Sequence, residues 1–120
     1  MSDLQCPARF LLVCEPDASV AQSLRYERVA AVYDGAPGAG GAVLGRVLGL
    51  PVQALARPIA LVDVLEGAED AVNDLESLAD LHRGETVVVS AVGRAGARTE
   101  ISVDGDGLDR IAPGGEEDRS

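Results

Sequence analysis

Apolar and polar positions in this chain fall into blocks that outline strands and helices. Residues 9–14 form a short apolar run flanked by Pro7 and Pro16, the pattern of a buried strand. From Ser19 to Glu27, Val20, Ala21 and Leu24 share one helical face, with Asp17 or Ser19 placed to cap it. Val29 to Tyr33 is a second continuous apolar run. Strand, helix and strand joined by short links predict a right-handed βαβ unit with a parallel pair. A glycine-rich loop from Asp34 to Gly41 follows. Ala42, Val43, Leu44, Val47 and Leu48 then make a helical patch closed by Gly49, with Pro51 just beyond.

Residues 51–64 are apolar but broken by Pro58, which predicts one short strand at Val52–Leu55 and irregular chain after it. Glu66 to Arg83 carries the clearest helical period. Ala68, Ala71, Val72, Leu75, Leu78, Ala79 and His82 recur at three- and four-residue steps, and acidic residues take the opposite face. His82 and Arg83 suit the helix C-terminal dipole, and Gly84 ends the segment. Thr86–Ser90 reads as another buried strand. Arg94 to Arg98 is a loop of small residues. Thr99–Val103 alternates with period two, turns at Asp104–Gly107 and returns through Leu108–Ile111, a hairpin expected at a sheet edge.

The expected fold is therefore α/β, with three layers: a mostly parallel sheet flanked by helices and ending in an antiparallel hairpin. The 120 residues suit a single domain. Its expected span is 9–112, after a flexible stretch at 1–8 and before a disordered acidic tail at 113–120.

Composition narrows the chemistry. The formal charge is −10, and all ten cationic side chains are arginine. Without lysine there is no Walker lysine, no Schiff base and no lysine partner for an aspartyl phosphate. An acidic chain repels nucleic acid and anionic membrane, so neither is an expected partner. No stretch reaches the roughly 18 apolar residues of a membrane span, and no signal peptide is evident. The expected location is the cytoplasm. Two cysteines, Cys6 and Cys14, suggest neither a disulfide framework nor a zinc site. No cofactor or metal is expected.

In an open α/β sheet, ligands bind where the chain leaves the carboxyl ends of strands. Cys14, Glu15, Pro16 and Asp17 are thus the first place to look for chemistry. Cys14 lacks a neighbouring cation to favour its thiolate, and Glu15 acts the other way. The loop with Gly38 and Gly40 could cradle a phosphate, but Val43 stands where a dinucleotide-binding glycine belongs. His82 has no partner nucleophile that the sequence places. Asp104-Gly105-Asp106-Gly107 lacks the remaining ligands of a calcium loop.

Four segments, taken in order, resemble the histidine phosphatase (phosphoglycerate mutase-like) superfamily. Leu11-Leu12-Val13-Cys14-Glu15-Pro16-Asp17-Ala18 is similar to its LLVRHGET strand and loop. Ala31-Val32-Tyr33 with the following helix and Leu48-Gly49-Leu50-Pro51-Val52 is similar to its AVYSSPLxRAxxTA…LGLPV segment. Leu81 to Ser90 resembles HxGETVLVVSHGG, and Thr99 to Gly107 resembles the terminal hairpin. The resemblance implies a phosphoglycerate mutase-like fold in reduced form.

It also implies a vacated site. Glu15 stands at the position of the phosphorylated histidine, Cys14 at the preceding arginine, Pro16 at the glycine and Ala91 at the second histidine. The general acid has no clear counterpart; Asp63 and Glu66 are the nearby acids. Phosphoryl transfer through histidine needs an imidazole nucleophile and a cationic cradle. The reading is a pseudoenzyme that serves as a binding or interaction module for a protein or small ligand. Glu15, Asp17, Gly38, Gly40 and Ser90 are its candidate ligand-binding residues, and a homodimer is left open.

Two alternatives stand beside this. One is a degenerate receiver domain, with Glu15 and Asp17 as the acidic pair, Asp63 as phosphoacceptor and Ser90-Ala91 as the switch position. The other is a diverged hydrolase using Glu15 or Asp17 as general base or metal ligand.

Overall fold

The computed structural model describes residues 7–36, 40–104 and 107–111, with side chains as far as 103. Gly38, residues 1–6, the turn at 105–106 and the acidic tail lie outside the described residues. Among the described residues, six strands and four α-helices follow in order. They are β1 (Ala8–Val13), α1 (Ala18–Leu24), β2 (Val29–Asp34), α2 (Gly41–Leu48), β3 (Val52–Ala54), α3 (Leu61–Glu66), α4 (Glu69–Leu81), β4 (Thr86–Ser90), β5 (Arg98–Asp104) and β6 (Gly107–Ile111).

The strands form one mixed sheet in the order β3-β2-β4-β1-β5-β6. β1 and β2 each pair in parallel with β4, and β3 is parallel to β2. β5 is antiparallel to both β1 and β6, so it alone opposes the other five. Placing β4 between β1 and β2 makes it central, and Val87, Val88 and Val89 are fully buried, as β-branched residues on a strand covered on both faces should be.

Side-chain alternation splits the core in two. Leu11, Val13, Val32 and Val88 face α1 and α2, meeting Ala21, Leu24 and Leu44. Phe10, Leu12, Val87 and Val89 face α3 and α4, meeting Leu61, Val64, Leu75, Leu78 and Ala79. This is the expected layering of a sheet between helices.

Local structure follows the residues. Asp17 accepts a hydrogen bond from the Val20 N–H at 2.9 Å and so caps α1. A 3-10 turn at Arg25–Glu27 ends in Arg28, whose φ of 55° and ψ of 52° redirect the chain into β2. Gly49, at φ 72°, closes α2, and the N–H groups of Gly49 and Leu50 both reach the Gly45 carbonyl. Gly45 itself is needed because a Cβ there would lie 2.4 Å from Val52 Cγ2, where α2 meets β3.

One expectation is corrected. α4 lies where a helix is expected over Glu66–Arg83, but the stretch expected to be irregular after Leu55 holds α3, closed by Gly67 at φ 77°. α3 is only six residues long, so Leu61 and Val64 are its whole buried face. A single i, i+3 pair leaves too little periodicity to recognise. Among the described residues, no helix is long and apolar enough to cross a membrane.

Candidate functional site

The carboxyl ends of β1, β2 and β4 lie side by side, and the segments leaving them meet there. β1 is followed by Cys14 and Glu15, β2 closes on Asp34 ahead of Gly35, and β4 closes on Ser90 ahead of Ala91. This is where an open sheet offers a ligand crevice. There Pro16 lies against Gly40, and Ser90 bonds Asp34.

Pro16 is buried and stacks over Gly40, the residue that begins α2 at φ 109°. A Cβ at Gly40 would come within 2.4 Å of Pro16 Cδ and 2.8 Å of its Cγ. Cys14 is buried on the other face, and a Cβ at Gly93 would lie 2.7 Å from its sulfur. Burial, reinforced by the Glu15 carboxylate, raises the Cys14 thiol above its ordinary value. A thiol so held is protonated and unreactive at neutral pH.

Ser90 is fully buried, and its hydroxyl donates to Asp34 Oδ1 at 2.9 Å. The same carboxylate oxygen accepts from the Ala36 N–H at 3.1 Å. Asp34 also lies against the first turn of α2, where a Gly41 Cβ would be 3.1 Å from its Oδ2. A carboxylate is stabilised at a helix N-terminus, and here the protein supplies its own. Asp34 is a site residue that sequence reasoning missed. It was signalled by an acidic residue closing an apolar strand, and the β2–β4 register sets it opposite Ser90.

Four backbone donors here are committed as well. The Cys14 N–H bonds the Ala97 carbonyl, Gly35 bonds Ser90, Ala91 bonds Val13 and Gly96 bonds Cys14, all at 2.8–3.0 Å. An anion cradle needs several free N–H groups converging on one point. These four amides already have partners.

The remaining candidates separate. Asp17 uses its Oδ1 in capping α1. Glu15 is exposed and holds φ 46°, a left-handed backbone uncommon for a residue with a side chain. Ala91 is fully buried. Asp63 and Glu66 are exposed on α3. His82 accompanies no candidate; its ring lies between Tyr33 and Glu85, with Nε2 2.8 Å from the Tyr33 hydroxyl and Nδ1 2.8 Å from Glu85 Oε1. Among the described residues, no group of three His, Cys, Asp or Glu stands close enough to hold a metal ion.

Cations at this end of the sheet were also missed. β5 begins at Arg98, opposite Val13 in the antiparallel register, and Arg94 lies in the loop between β4 and β5. Both are exposed. The strand end therefore carries arginine as well as acid, where the sequence reading placed no cation beside Cys14.

Compared with protein-family models, with curated proteins and with solved structures, the chain matches none.

Proposed function

We propose that this chain is a non-catalytic protein on a reduced histidine phosphatase-like scaffold, serving as a binding or interaction module. The observation that carries the reading is the buried Pro16 ring seated on Gly40, at the position where the resemblance places the phosphate-binding loop. On this reading the ring lies in the loop that would otherwise wrap a phosphoryl group. Two further observations support it. The amides of Cys14, Gly35, Ala91 and Gly96 are bonded internally. The β1–α1–β2 unit and the C-terminal antiparallel hairpin also follow the order that the resemblance implies.

The receiver reading gains less support. Its phosphoacceptor, Asp63, sits exposed on α3, and β5 runs against the other strands. The hydrolase reading is favoured by one feature, the left-handed backbone at Glu15, because strain of this kind concentrates at active sites.

Turnover of p-nitrophenyl phosphate, with and without divalent metals, tests the proposal. No turnover above buffer is expected from the native chain. Turnover that disappears in Glu15→Ala would overturn the proposal in favour of the hydrolase.

A further inference from the structure

A second feature lies at the opposite end of the sheet, where β2 begins. A cavity of about 190 Å³ opens there between the C-terminal ends of α1 and α2, lined by Arg25, Arg28, Val29, Leu48 and Leu50. Its walls divide cleanly. Val29, Leu48 and Leu50 are half-buried and apolar, and the two arginines are exposed around them. No lining residue is acidic, although the chain carries twice as many acidic as basic side chains.

The arginines are also uncompensated. Arg9 pairs with Glu27 and Glu100, Arg57 with Asp70 and Asp74, and Arg83 with Asp80. Among the described residues, neither Arg25 nor Arg28 meets a carboxylate. Arg25 contacts only the neutral Gln22 amide, at 3.3 Å. Glu27, which lies between them in sequence, is drawn to Arg9 at 2.9 Å.

An apolar wall beside two arginines suits an anion that carries an apolar chain better than it suits phosphate, which has none. The volume corresponds to about six water molecules at about 30 Å³ each, room for a small organic body against the apolar wall. The geometry points to a binding site for a short aliphatic monocarboxylate, its carboxylate held by Arg25 and Arg28 and its chain lying on Val29, Leu48 and Leu50. Guanidinium suits this role because its fork matches a carboxylate in two parallel hydrogen bonds.

Isothermal titration calorimetry of the full chain at fixed ionic strength tests the site. Hexanoate is the probe, with hexan-1-ol, acetate and inorganic phosphate as comparisons. Saturable hexanoate binding at least tenfold tighter than any of the three is expected. Binding should weaken at least tenfold in Arg25→Ala/Arg28→Ala, recover in part in Arg25→Lys/Arg28→Lys and stay unchanged in Arg94→Ala, at the far end of the sheet. No saturable binding by hexanoate overturns the assignment, as does equal binding by the double alanine variant. Phosphate binding as tightly as hexanoate would show a bare anion site and overturn it as well. Both arginines are exposed, so the variants should keep the native melting temperature.

Discussion

Seating Pro16 on Gly40 makes a quantitative prediction. Gly40→Ala adds a Cβ at φ 109°, a backbone position costing a residue with a side chain about 1–3 kcal/mol. The same Cβ would overlap Pro16 Cδ at 2.4 Å, and overpacking of this kind costs about 1–3 kcal/mol more. The expected loss is the sum, about 2–6 kcal/mol. Gly49→Ala is the control. Gly49 also has positive φ, at 72°, but nothing lies within 4 Å of its added Cβ, so it should cost only the backbone strain, about 1–2 kcal/mol.

Pro16→Ala removes the two ring atoms that Gly40→Ala would strike. Alone, it loses two buried methylenes, about 1.6 kcal/mol. Combined with Gly40→Ala it should relieve the overlap, so the double variant should be more stable than the sum of the single losses by about 1–3 kcal/mol. Urea unfolding followed by far-ultraviolet circular dichroism measures all four proteins. Losses that add to within about 0.5 kcal/mol would refute the contact. So would a Gly40→Ala loss no larger than that of Gly49→Ala.

Three further predictions concern single residues. Glu15→Gly should stabilise the fold by about 0.5–1 kcal/mol, because relief of the left-handed backbone outweighs the added chain entropy; a destabilised variant in the same urea assay would contradict this. His82→Ala should cost about 1–3 kcal/mol by leaving the buried Tyr33 hydroxyl without its partner, and Tyr33→Phe should remove most of that cost, measured as a double-mutant cycle. Cys14 binds its proton more tightly folded than unfolded, so its contribution to stability is complete below the unfolded thiol's value, about 8.5, and is lost as pH rises through the higher folded value. Melting temperatures from pH 7 to 10 should therefore fall less steeply in Cys14→Ala than in the native chain; equal slopes would sink the argument.

What was legible in the sequence was whatever one segment decides by itself. β1, β2 and β4 are apolar runs bounded by proline, glycine or polar residues, and each was located to within about two residues. Asp17 as a cap and Gly49 as a terminator follow from local backbone chemistry. α3 was hidden because its six residues give no measurable period, whereas the 13 residues of α4 do.

The site was less legible because its contacts are distant in sequence. Pro16 and Gly40 come from different loops, and only the parallel pairing of β1 and β2 with β4 brings those loops together. Asp34 faces Ser90 only once β4 is known to neighbour β2. Arg98 reaches the strand end only because β5 is antiparallel to β1. The residues at the positions that the resemblance assigns were readable one by one. The contacts those residues make were readable only in three dimensions.

The central claim is that the strand end beside Val13 is closed to anions. Amide NMR of the native chain during titration with tungstate, a tetrahedral oxyanion, tests it most directly. The account predicts no concentration-dependent shifts at Cys14, Glu15, Asp17, Gly40, Ser90 or Ala91. Saturable shifts centred on those residues, abolished by Arg98→Ala, would contradict it and make the strand end a working anion site.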